Sequence, residues 1–181
     1  MDMSKLSVFL TNAGKYAEGA LVGTFVRLPI QSPKELQQAL KEIGIGKEYE
    51  EYFISDYESS FVGLRDILGE YESIEALNEL AEMLEALSDG DEDKLNSILE
   101  CESCNSIDEL KELIESLDNY DLLPDIDDDE DLGYYYIEDC GIFPDIPECI
   151  RNYIDYEKFG RDVRLEGSIV YSSYGAVIHN E

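Results

Sequence analysis

Basic side chains are scarce in this sequence. Its 181 residues hold thirteen Lys and Arg against forty-three Asp and Glu, a formal net charge of −30. A chain without a basic face is a poor ligand for DNA, RNA or an anionic membrane, so direct contact with those partners is excluded. Tryptophan is absent, and the one histidine, His179, sits third from the end. Cys-His or Ser-His catalysis would have to depend on that terminal residue, so little supports nucleophilic chemistry. No apolar run approaches the length of a membrane span. Met1-Asp2-Met3-Ser4 leads straight into an alternating pattern, with no secretory signal. Four cysteines in that setting read as reduced thiols, so a cytoplasmic location is expected.

What is present belongs to a folded protein. The hydrophobic fraction is 44%, with thirteen Tyr and six Phe, which is not the composition of a disordered acidic tail. The length suits one ordinary domain or two to three small ones. The charge is unevenly spread. Between Glu70 and Glu148 there are twenty-eight acids and two bases, Lys94 and Lys111. This net −26 equals the phosphate charge of roughly 13 base pairs of duplex. Solubility needs a net charge of only about 2–8, and the surplus destabilises the fold by self-repulsion. It therefore points to a use, with cations or basic protein surfaces as the partners, above all surfaces that hold nucleic acid.

Along the chain, Leu6, Val8 and Leu10 alternate as a first strand. Asn12–Gly19 reads as a loop and Leu21–Ile30 as a second strand. Ser32, Pro33 and Glu35 open a helix with a capping box, and Gly44 closes it. Glu48–Glu58 is rich in aromatic and β-branched residues and reads as a third strand. Phe61–Leu68 suggests a short helix. Ser73 then opens a helix with Ile74, Leu77, Leu80, Ala81, Leu84 and Leu87 on one side and Glu72, Glu75, Glu79, Glu82 and Glu85 on the other. Ser88–Asp91 breaks it, and Leu95, Ile98 and Leu99 mark another short helix. Ser106 and Glu109 form a second capping box ahead of Leu110, Leu113, Ile114 and Leu117. The segments SIEALNEL and SIDELKEL share five of eight residues, 33 positions apart. Tyr120–Leu123 reads as a strand before a dense acidic run. Leu132–Cys140 reads as a helix, Pro144 and Pro147 as brackets of a turn, and Glu148–Phe159 as a helix ended by Gly160. Val163–Leu165, Ser168–Ser172 and Ala176–His179 read as strands.

Several patterns compete with a binding role for the acids. Asp89, Asp91, Asp93 and Glu100 fall on positions 1, 3, 5 and 12 of an EF-hand count, as do Asp127, Asp129, Asp131 and Glu138. Position 6, which needs glycine, is Lys94 in one and Leu132 in the other, so calcium binding is not expected. Cys101 and Cys104 form a CxxC, but Cys140 and Cys149 lack the spacing of a zinc site, and no metal or other cofactor is expected. The loop NAGKYAEG lacks P-loop spacing. Exposed helix faces usually intersperse Lys and Arg with Glu, because opposite charges at i,i+4 stabilise a helix and like charges weaken it. Two bases among twenty-eight acids depart from that pattern and favour a binding face.

Four blocks, Asn12–Gly23 (NAGKYAEGALVG), Glu48–Glu58 (EYEEYFISDYE), Tyr135–Gly141 (YYIEDCG) and Asn152–Val163 (NYIDYEKFGRDV), make the chain resemble the ArdA-type antirestriction proteins of mobile genetic elements. The resemblance implies an α+β fold of three small domains in a line, mixed α/β, helical and mixed α/β, with expected bounds 1–59, 60–118 and 119–181. It also implies a homodimer joined through the C-terminal domain, no enzymatic activity, and a DNA mimic that occupies the DNA groove of the methyltransferase core of type I restriction–modification enzymes. The candidate dimer contacts are Tyr134, Tyr135, Tyr136, Ile142 and Phe143.

Under this reading the phosphate surrogates before and on the first acidic helix are Glu70, Glu72, Glu75, Glu79, Glu82 and Glu85. Those on the second are Asp108, Glu109, Glu112 and Glu115. Asp118, Asp121, Asp125, Asp127, Asp128, Asp129, Glu130 and Asp131 complete the set. An acidic interaction module, either a histone-like chaperone or a cation-binding protein, is the alternative from another class.

Overall fold

The computed structural model describes residues 5–143 and 145–180; Pro144, expected with Pro147 to bracket a turn, lies outside them. The chain is mixed α+β with two three-stranded antiparallel sheets. It divides into two compact units. Residues 1–92 and 104–115 form the first, and residues 93–103 and 116–181 form the second.

In the first unit, strand β1 (Leu6–Asn12) lies between β2 (Gly23–Leu28) and β3 (Tyr52–Ser59). Leu6, Val8 and Leu10 of β1 are buried with Val26, Leu28, Ile54 and Tyr57, one alternating face across the sheet. A bulge between Phe9 and Leu10 shifts the β1–β3 register. Opposite that shift, Thr11 and Ser55 hydroxyls pair at 2.6 Å.

The segment expected to be a loop after β1 instead forms helix α1 (Ala13–Ala17). Asn12 starts it, because its side-chain oxygen accepts from the Lys15 N–H at 2.9 Å and so meets a donor that the first turn leaves open. Its Nδ2 donates to the Ile43 carbonyl at 3.0 Å. Gly14 lets the Tyr49 ring lie where a Cβ would sit.

Helix α2 (Pro33–Glu42) starts at Ser32 as expected, with Pro33 in its first turn. Glu35 reaches back to the Gln31 N–H. Helix α3 (Leu64–Ile67) follows β3. Helix α4 (Ile74–Glu85) is capped by Ser73, whose Oγ accepts from the Ala76 N–H at 3.0 Å. Leu77, Leu80, Ala81 and Leu84 of α4 are buried, and the helix packs on β2 and on α6 (Ile107–Glu115). Between them in sequence runs α5 (Asp89–Cys101), within which the unit boundary falls.

The second unit is built on β4 (Tyr120–Leu123), β5 (Ile169–Ser172) and β6 (Gly175–His179), in the order β4-β6-β5. The acidic run leads into α7 (Asp129–Tyr134), which continues as a π-helical stretch over Tyr135–Asp139. Ile169 and Ala176 of this sheet are buried together with Ile126 and Leu132.

Two expectations fail in this unit. The helix expected over Glu148–Phe159 is two helices, α8 (Glu148–Arg151) and α9 (Tyr156–Glu166). Asp155 interrupts them by capping α9, accepting from the Lys158 N–H at 3.0 Å. Gly160 does not end the helix, and the strand expected at Val163–Leu165 is its continuation. The glycine serves packing instead. A Cβ on Gly160 would run into the Asp129 carbonyl oxygen, and one on Gly133 into the Tyr156 carbonyl oxygen. The backbones of α7 and α9 therefore touch, at two positions where only glycine fits.

Candidate interaction surface

The acidic face of the first unit rests on the packing of α4 against α6. Buried leucines and isoleucines turn one side of each helix inward, and the 3.6-residue period leaves the carboxylates outside. Glu75, Glu79, Glu82 and Glu85 of α4 are exposed, as are Asp108, Glu109, Glu112 and Glu115 of α6. The two stripes expected from sequence thus lie on packed neighbours within one unit. Glu70 is exposed ahead of α4, whereas Glu72 is half-buried and accepts from the Gly69 N–H at 3.3 Å.

Polar contacts hold these helices in place. The Asn78 side-chain oxygen on α4 accepts from the Ile30 N–H at 2.9 Å. Lys5 secures the helix end: its ammonium donates to the carbonyls of Leu84 and Leu87 at 2.8 and 3.1 Å and pairs with Glu92 at 2.5 Å. It meets carbonyls that a helix C-terminus leaves without partners, and its charge suits the negative end of the helix dipole. Lys111 of α6 donates to Glu79 of α4 at 2.7 Å. In α6, Ser106 Oγ accepts from the Glu109 N–H, and the Glu109 carboxylate accepts from the Asn105 N–H at 2.8 Å. Sequence reading missed Lys5 and Asn78. Lys111 had a signal, as a lone cation within an acidic stripe.

In the second unit, Asp118, Asp121, Asp125, Asp127, Asp128, Glu130 and Asp131 are exposed. Asp128 caps α7, accepting from the Glu130 and Asp131 N–H groups at 2.9 Å each. This acidic start suits the positive end of the helix. Asp121 accepts from the Asn180 amide at 2.8 Å. Asp129 is different from these. Its Oδ1 takes hydrogen bonds from Arg164 at 2.6 Å and Tyr171 at 2.9 Å. The Arg164 bond holds its carboxyl below the usual aspartate range, so it works within the scaffold. Glu100 likewise accepts from the Ser173 N–H and hydroxyl, both at 2.7 Å, which also lowers its pKa.

The EF-hand counts fall on helices. Asp89 through Glu100 lies within α5, and most of Asp127–Glu138 lies in α7 and the π-helical stretch. A calcium loop must wrap its ligands around an ion, and a helix spreads them along an axis. Among the described residues no group of three or more His, Cys, Asp and Glu is arranged to hold a metal. The four thiols are free, and burial pushes the Cys101 and Cys104 thiols up from their ordinary range.

Of the residues named for a dimer contact, Tyr134, Ile142 and Phe143 are exposed. Tyr135 and Tyr136 pack in part against the core of their own unit. Among the described residues no helix is long and apolar enough to cross a membrane.

Compared with known proteins, residues 8–178 match the family model described as "Antirestriction protein (ArdA)". No curated protein matches the chain.

Proposed function

The chain belongs to the ArdA family of antirestriction proteins, and from that membership we propose that it is an acidic DNA mimic that occupies the DNA groove of type I restriction–modification enzymes. The observation that carries this reading is the pair of carboxylate stripes on α4 and α6, eight exposed acids on two packed helices. Spacings of three and four residues along α4 set a charge about every 5 Å of helix axis. Two such stripes side by side approach one charge per about 2.5 Å, against one per about 1.7 Å of B-DNA axis. Lys and Arg that neutralise phosphates in the target groove would pair with them. The exposed acids of the second unit add to the negative charge, and Asp129 and Glu72 act from within the scaffold.

On this reading the protein works in the cytoplasm, binds its target without catalysing a reaction, and forms a homodimer. Tyr134, Ile142 and Phe143 are its best-exposed candidate contacts, in a third domain spanning residues 119–181, after an N-terminal domain over 1–59 and the acidic helices of 60–118.

The test is competition between the purified protein and a DNA duplex for a type I restriction–modification complex at physiological salt. An acidic peptide of equal charge and scrambled order is the control. Near-stoichiometric displacement by the protein and not by the peptide supports mimicry of shape as well as charge. Equal, weak competition by both would favour a general acidic chaperone.

A further inference from the structure

Two rows of like charge on touching helices push each other apart, and among the described residues Lys111 is a cation that pairs across them. Lys111 is on α6, and its ammonium meets Glu79 of α4 at 2.7 Å. The Lys111 side chain is only 18% exposed, while that of Glu79 is 64% exposed. The lysine therefore lies largely covered, with its charge delivered to an exposed carboxylate of the opposite stripe. It is a poor contact for a basic partner, whose field would repel it. It is well placed to hold α6 against α4. Apolar packing sets the distance between the two helix axes, while this charge-assisted hydrogen bond is directional and also governs how α6 is turned against α4, and with it the separation of the carboxylate rows.

We propose that Lys111 and Glu79 form a positioning pair that sets the spacing of the two acidic stripes, and that inhibition depends on this spacing beyond the total charge. The proposal rests on the DNA-mimic reading. It makes a prediction opposite in sign to one from charge alone. Removing Lys111 adds net negative charge, so a purely electrostatic inhibitor should improve. A positioned one should weaken, because its rows no longer match a basic groove.

The experiment is a double-mutant cycle on the full chain, read as duplex displacement from the restriction–modification complex. The variants are Lys111→Met, Glu79→Gln and the pair together, with Lys111→Arg as the conservative rescue and Lys34→Met, on exposed α2, as an equal change of charge elsewhere. Positioning predicts that Lys111→Met and Glu79→Gln each weaken displacement about two-fold or more, and that the double variant is no worse than either single, as for side chains acting as one unit. Lys111→Arg should retain displacement, and Lys34→Met should leave it unchanged or improve it. Charge alone predicts that Lys111→Met improves it, Glu79→Gln weakens it and the double variant returns to wild type, which would overturn the proposal.

Hydrogen exchange of the α6 amides gives a second readout that does not depend on the target. It should quicken in Glu79→Gln, a conservative change at an exposed side chain. Unchanged exchange in α6 would also overturn the proposal. A wild-type protein that fails to displace duplex, with α6 exchange still responding to Glu79→Gln, would count against DNA mimicry and also against the claim that inhibition depends on the spacing, while supporting the tether itself.

Discussion

Arg164 binds Asp129 through its Nε at 2.6 Å and its Nη2 at 3.3 Å, a forked contact between α9 and the first turn of α7. Tyr171 on β5 donates to the same carboxylate at 2.9 Å, so one acid joins two helices and a sheet. Arg164 is the first cause of the lowered Asp129 pKa. A carboxylate whose folded pKa is depressed contributes stability above its unfolded value, about 3.9, and loses it as pH falls through the folded value. The second unit should therefore hold this contribution at neutral pH and lose it progressively below about pH 4. Asp129→Asn should destabilise the protein at pH 7 by about 1.5–3 kcal/mol, the range for a hydrogen bond to a charged group. It should also flatten the acid limb of the stability curve. Urea unfolding followed by far-UV circular dichroism at several pH values checks both, and equal sensitivity to acid in wild type and variant would refute the assignment.

Gly160 and Gly90 should respond to alanine with opposite signs. A methyl on Gly160 meets the Asp129 carbonyl and the Gly133 backbone. Backbone atoms cannot rotate away as a side chain can, so Gly160→Ala must push α9 off α7, costing about 1–3 kcal/mol or more. Gly90, in the first turn of α5, has open space where a Cβ would stand. Gly90→Ala should stabilise the protein by up to about 1 kcal/mol through the better helix propensity of alanine. Paired thermal melts of the two variants test this, and a Gly160→Ala protein as stable as wild type would mean that the helices do not touch.

These glycines also mark where the sequence was and was not legible. Periodicity and capping reveal α2, α4, α6 and β4–β6, because each carries its own local signal: Ser32, Ser73 and Ser106 before amphipathic runs, the short apolar run Tyr120–Leu123, and alternation over Ser168–Ser172 and Ala176–His179. Gly160 reads as a helix end, since local rules know glycine as a terminator, and its role in packing is set by a helix distant in sequence. Asn12–Gly19 reads as a loop because the glycines at both ends outweigh the local Asn12 cap on Lys15, and the Asn12 contact with the Ile43 carbonyl, 31 positions on, has no local signal. The carboxylate stripes were readable as faces. The exception of Asp129 was not, because its partners Arg164 and Tyr171 come from 35 and 42 residues away.

Calcium should not act as a folding ligand here. In α5 the helical backbone spreads Asp89, Asp91, Asp93 and Glu100 along more than two turns instead of gathering them around an ion. A ligand that binds only the folded state raises the melting temperature as its concentration passes the dissociation constant. Melts in calcium should therefore match those in magnesium at equal ionic strength, with both showing only general screening of the self-repulsion. A calcium-specific shift that saturates would point instead to the cation-binding alternative.

Neutralising the stripes should separate stability from inhibition. Glu75, Glu82, Glu112 and Glu115 are exposed, and like charges three and four residues apart on one helix face weaken it by about 0.2–0.5 kcal/mol per pair. Glu79 is left out of the set because Lys111 pairs with it. Single Glu→Gln changes at these four positions should each alter inhibition by about 0–1 kcal/mol, the range for exposed ion pairs, since many weak contacts share the binding energy. The quadruple variant should lose most displacement of duplex and show a shallower dependence on salt, because fewer ion pairs form with the target. Its melting temperature should rise, since self-repulsion falls while the buried faces of α4 and α6 are unchanged. That combination identifies charge kept for binding at the expense of stability. A quadruple variant that inhibits as well as wild type would remove the stripes from the mechanism. A single substitution that abolishes inhibition in a folded protein would replace the distributed surface with one decisive contact.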